Sequence, residues 1–146
     1  MLDDNDLVNY SGKVVASITP NNKLAASYFW NNKIRGHRRD TLFNNVPDIA
    51  ATVQTNPVQT TQAKYTGIRG RMVYESNFSV MDGVTNYLYQ PGTPADTIRR
   101  VDNTLSTADF AANREEHQPN SRTQFDNVFT YSKTGLGGEH LFKGGV

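Results

Sequence analysis

The stretch Phe125-Asp126-Asn127-Val128-Phe129-Thr130-Tyr131 sets Phe125, Asn127, Phe129 and Tyr131 on one side of an extended chain. Gln124, Asp126, Val128 and Thr130 fall on the other. Successive side chains of a strand point to opposite faces, so this period of two predicts a strand between an apolar and a polar environment, over residues 122–133. Thr134-Gly135-Leu136-Gly137-Gly138 follows as a glycine turn, and residues 139–146 return as a further strand.

Working back from this hairpin, the same pattern recurs. Val14, Ala16 and Ile18 alternate with Lys13, Val15 and Ser17 over residues 12–19. Pro20-Asn21-Asn22-Lys23 has turn chemistry, because proline presets φ and asparagine tolerates left-handed backbone. Leu24, Ala26, Tyr28 and Trp30 then share a face over residues 24–34. Further strands are predicted over residues 60–69 and 73–82, joined at Gly70, with Asp82-Gly83 ending the second. Between these pairs lie two long connections, Arg35 to Gln59 and Asp82 to Ser121. Pro47-Asp48-Ile49-Ala50-Ala51 has the chemistry of one helical turn. Ser106-Thr107-Ala108-Asp109 has capping-box spacing and predicts a short helix.

The connections run short, long, short, long, short. Outer-membrane barrels have short periplasmic turns, long extracellular loops, and strands of about 10 residues that are apolar outside and polar inside. The expected fold is therefore all-β, with antiparallel up-and-down strands forming an incomplete segment of a transmembrane β-barrel and two long extracellular loops. One partial barrel segment occupies residues 1–146. Soluble antiparallel sheets alternate in the same way. The alternative is a soluble β-rich carbohydrate-binding or adhesion module.

Composition excludes other classes. Fifteen basic residues against fourteen acidic ones give a net charge of +1, with no basic stripe for nucleic acid. There is no cysteine, so disulfides, zinc thiolates and cysteine nucleophiles are absent. The acidic Met1-Leu2-Asp3-Asp4-Asn5-Asp6 has neither the basic nor the apolar region of a secretory signal. No apolar run reaches the roughly 18 residues of a spanning helix. Glu115, Glu116, His117, Glu139 and His140 lack the spacing of a metal helix. No nucleophile elbow is present. No cofactor is expected, and the chain does not read as an enzyme.

Three stretches carry a resemblance. They are Trp30-Asn31-Asn32-Lys33-Ile34-Arg35-Gly36-His37-Arg38-Arg39, Asn86-Tyr87-Leu88-Tyr89-Gln90-Pro91-Gly92, and the closing hairpin from Phe125 to Val146. In wording they resemble the barrel region of TonB-dependent outer-membrane receptors, particularly Oar-like members that carry a carboxypeptidase-regulatory-like domain. The resemblance covers most of the chain after Gly12. It implies wall and outer loops of a receptor for energised solute uptake, located in the bacterial outer membrane. It implies contact with outer-membrane lipid, with an unknown solute, and with the TonB system through a plug. The family's signal peptide, plug and C-terminal strand have no counterpart in these residues, so the chain is expected to be an internal fragment.

Two sets of residues stand out. Arg35, His37, Arg38 and Arg39 sit where a strand would leave the membrane. Arginine pairs bidentately with phosphate, which suits lipopolysaccharide or an anionic ligand. The plainer reading of such a run is a solvated loop base. Tyr28, Trp30 and Tyr131 fall on the apolar face, where a barrel places its interfacial aromatic residues.

Overall fold

The computed structural model describes residues 4–39, 42–43, 46–135 and 137–146. Leu136 of the glycine turn and Met1-Leu2-Asp3 of the acidic N-terminus lie outside the described residues. The chain runs β1 (Asn5–Thr19), β2 (Asn22–Arg38), a 3-10 turn (Asp48–Ala50), β3 (Thr52–Arg69), β4 (Met72–Leu88), β5 (Arg100–Asp102), β6 (Thr107–Asp109), β7 (Glu116–Gly135) and β8 (Gly138–Gly145). The long strands make an antiparallel six-stranded sheet in the order β1-β2-β3-β4-β7-β8. The short strands β5 and β6 form a separate antiparallel pair. The fold is thus all-β and up-and-down, and the sheet is open: β1 and β8 each have a single neighbour.

All six expected strands are present, and most are longer than the alternation predicts. β1 begins at Asn5 and not at Gly12, β3 at Thr52 and not at Thr60, and β7 at Glu116 and not at Arg122. Strand β4 continues past Asp82-Gly83 to Leu88. The added segments either are mostly polar or mix polar and apolar residues on each face, as Leu7 and Val8 do in β1 and Val84 with Asn86 in β4, so they carry no clean alternation to read. Their side chains instead bond across the strands. Asn31 donates to Asn9, Asn56 Nδ2 reaches Thr85 Oγ1 at 2.6 Å, and Asn86 Nδ2 reaches Thr55 Oγ1 at 3.1 Å.

The capping box at Ser106 does not open a helix. Residues 107–109 are strand β6, paired with β5 through Asp102↔Thr107 and Val101↔Ala108. Asp102 Oδ1 accepts the backbone N–H of Thr104 at 2.9 Å and of Leu105 at 3.0 Å, which folds the chain back before a helix can start. Ser106 has φ of 53°, so it closes a turn and not a first helical residue. The expected turn at Pro47 is present: Ala50 N donates to Pro47 O at 2.9 Å.

The chain divides into two compact units. The first comprises Met1–Asn9, Asn31–Val58 and Gly83–Asn120, and so holds both long connections. Its core is small-residue packing under the loops: Val46, Ala50 and Ala108 form a cluster against which Phe43 packs. Ala51, Ala111 and Ala112 are also buried.

The second unit comprises Tyr10–Trp30, Gln59–Asp82 and Ser121–Val146, and holds the three short connections. Gly70 takes φ of 61° between β3 and β4, the left-handed backbone that a tight turn requires. Among the described residues, none of the buried ones belongs to this unit. One face of its sheet is tied together by aromatic side chains. Tyr10 stacks on Trp30 at 5.4 Å, Tyr65 meets Tyr74 at 6.2 Å, and Tyr131 stacks on Phe142 at 6.5 Å. Tyr65 Oη donates to Asn22 Oδ1 at 2.5 Å, and Tyr74 Oη to Asn127 Oδ1 at 2.6 Å. By parity within each strand, these contacts put Val14, Ile18, Leu24, Tyr28, Trp30, Phe125, Phe129 and Tyr131 on one face. The opposite face carries Ser27 bonded to Gln62, and Lys64 paired with Glu75 at 2.5 Å. The apolar face stands open: Val14 is 70% exposed, Ile18 64% and Phe125 61%.

Candidate functional site

The C-terminal end of β2 carries Ile34-Arg35-Gly36-His37-Arg38, with Arg39 just beyond it. Strand pairing brings the first residue of β3, Thr52, and Tyr87 of β4 to the same place. The segment before β7 adds Asn113 and Arg114. Together these residues line a cavity of about 190 Å³. Gln90 Nε2 donates to the Gly36 carbonyl at 2.6 Å, which fastens the segment after β4 to β2.

Tyr87 is the centre of the arrangement. The Arg38 guanidinium lies 5.3 Å from its ring centroid and the Arg114 guanidinium 4.3 Å. The negative face of an aromatic ring attracts such cations. Arg38 is held in place by a chain of neutral groups. Its Nη1 donates to Gln54 Oε1 at 2.8 Å, Gln54 Nε2 to Asn56 Oδ1 at 2.7 Å, and Asn56 to Thr85. Arg114 differs, because its Nη1 pairs with Glu116 Oε2 at 2.8 Å. Four arginines line the cavity, and among the described residues no carboxylate does.

The structure brings Arg35, Arg38 and Arg39 together and sends His37 elsewhere. His37 Nδ1 meets Asp4 Oδ1 at 2.7 Å, and this hydrogen bond holds the Asp4 carboxyl below its ordinary value of 3.8. No family model, curated protein or solved structure matches the chain. Tyr87, Arg114, Thr52 and Asn113 are cavity residues that reading along the sequence missed, since only the pairing of distant strands unites them. Arg114 adjoins the acidic pair Glu115-Glu116, which masks its charge when the sequence is read as a running sum.

The aromatic set is divided between contacts of different kinds. Tyr28 is exposed, with its hydroxyl 3.4 Å from Gln59 Oε1. Trp30 is half-buried against Tyr10, and Tyr131 lies beside Phe142. Among the described residues, no three His, Asp or Glu side chains converge to hold a metal ion. His117 Nδ1 contacts Asn86 Oδ1 at 2.6 Å, and Glu116 is taken by Arg114 and Gln118.

Proposed function

We propose that this chain is part of the wall and outer loops of a bacterial outer-membrane β-barrel, of the TonB-dependent receptor kind, serving energised solute uptake. The observation that carries the reading is the open apolar face of the second unit. Its strand segments, 10–19, 22–30, 59–69 and 72–82, are each about ten residues long. A tilted membrane strand needs roughly 9–11. Monomeric soluble proteins rarely leave a contiguous apolar face of this extent uncovered.

Aromatic residues gather toward both ends of these segments, as in an interfacial girdle. Tyr10, Tyr28 and Trp30 lie away from the short turns, while Tyr74, Tyr131 and Phe142 lie near them. The polar face, with Lys64 and Glu75, suits a lumen. Closing such a barrel takes further strands on β1 and β8, since an unpaired edge in hydrocarbon leaves backbone groups unsatisfied. The TonB system and the solute enter only through the resemblance, and no residue of the chain specifies the solute.

The test is the solvent in which the chain folds. Strand circular dichroism and a cooperative urea transition are expected only with detergent or bilayer present. A cooperative monomer in plain buffer would overturn the reading and leave the soluble binding module in its place.

A further inference from the structure

We propose that the arginine cavity is a binding site for a phosphate group, held by Arg38 and Arg114 on either part of the Tyr87 platform. Four guanidiniums line one small space, with no carboxylate among its described lining residues; Glu116 pairs with one of the four, Arg114, from outside that lining. Two of them share a single aromatic ring. Like charges so placed repel, and an anion between them relieves the repulsion. Arg38 is the clearest case: its partners are a neutral amide and a ring, so its charge has no counter-ion among the described residues. The amide chain through Gln54, Asn56 and Thr85 fixes the guanidinium in advance, which lowers the ordering cost of binding.

The geometry favours phosphate over carboxylate. A carboxylate offers one planar edge to one guanidinium fork, whereas a tetrahedral phosphate offers oxygens in several directions. At about 30 Å³ per water, the cavity equals roughly six waters, which admits a phosphate with a small substituent. Thr52 and Asn113 on its wall supply further polar contacts. The plainer alternative, a solvated charge run, does not account for a preset Arg38 and for Arg114 arriving from a distant segment.

The inference stands on the cavity and not on the barrel reading, so it is tested in whichever medium the full chain folds. Inorganic phosphate is titrated calorimetrically at constant ionic strength, with sodium chloride as the control. A parallel titration uses non-ionic micelles doped with phosphatidic acid. Arg38→Gln and Arg114→Gln are each expected to weaken binding at least tenfold, while Lys23→Gln, far along the chain at a short turn, leaves it unchanged. Arg38→Lys, which keeps the charge and loses the fork, should fall between. Saturable binding of free phosphate with this pattern assigns the site to a soluble phosphate. The pattern with phosphatidic acid alone assigns it to a lipid headgroup. Binding to neither, or binding that is indifferent to both glutamine variants with circular dichroism unchanged, overturns the proposal.

Discussion

A methyl group added at Gly83 would lie 2.9 Å from Val58 Cγ2 and 3.2 Å from the Pro57 carbonyl oxygen. The glycine therefore permits close strand approach, and it is not the turn that Asp82-Gly83 spells. Gly83→Ala is expected to cost about 1–3 kcal/mol by overpacking, read as a lower urea midpoint. A second expectation concerns Asp4. Its carboxyl is held down chiefly by the hydrogen bond from His37, so its NMR titration midpoint should lie below 3.8, and His37→Ala should raise it toward that value. The contact with His37 is then intact above the ordinary range and fades as pH falls through the lowered value. A midpoint unchanged by the substitution would remove His37 as the cause. At this scale the sequence is a partial guide. Arg35 and Arg38 stand out as a basic knot, but nothing local separates His37, whose partner Asp4 lies far off in sequence, just before β1, and meets it only through the pairing of β1 with β2.

Strands are legible where their two faces see different surroundings and illegible where they do not. Residues 12–19, 24–34 and 122–133 alternate cleanly because one side is apolar. The segments 52–58 and 116–120 are mostly polar on both sides, 83–88 mixes Val84 and Leu88 with Asn86 on one side, and Pro57 and Pro119 read as loop residues. They are strand all the same, since cross-strand amide pairs such as Asn56 with Thr85 replace apolar contact. The capping box fails for a related reason: Asp102 wins the competition for the backbone N–H groups that follow it. The face assignment predicts a contrast within one strand. Phe129→Arg should lower the stability of the bilayer-inserted chain by about 2–4 kcal/mol, the cost of arginine on the lipid side near the midplane. Thr130→Arg, one position along on the polar face, should cost far less. Equal losses in a urea titration from lipid vesicles would mean that the register of β7 is misassigned.

For the molecule as a whole, the distribution of apolar surface is what the proposed membrane setting rests on. Among the described residues the buried ones all belong to the first unit, and the sheet of the second unit has an exposed apolar face where a soluble domain would have a core. That absence of a core could not be read from the sequence, because alternation looks the same against lipid as against a second sheet. The single tryptophan offers a direct measure of depth. Trp30 lies at the end of its apolar segment away from the turn at Pro20, whereas Phe129 lies several residues up from the glycine turn, near the middle of its own segment. In vesicles, Trp30 emission should therefore be quenched most by lipids brominated close to the headgroup. In a Trp30→Phe background, Phe129→Trp should be quenched most by lipids brominated deep in the acyl chain. A strand rising roughly 3.3 Å per residue, tilted as in known barrels, separates the two positions enough for the quenching profiles to differ. If instead both tryptophans ignore brominated lipid and yield to aqueous acrylamide, the apolar face does not meet a bilayer. It would then have to be covered by protein.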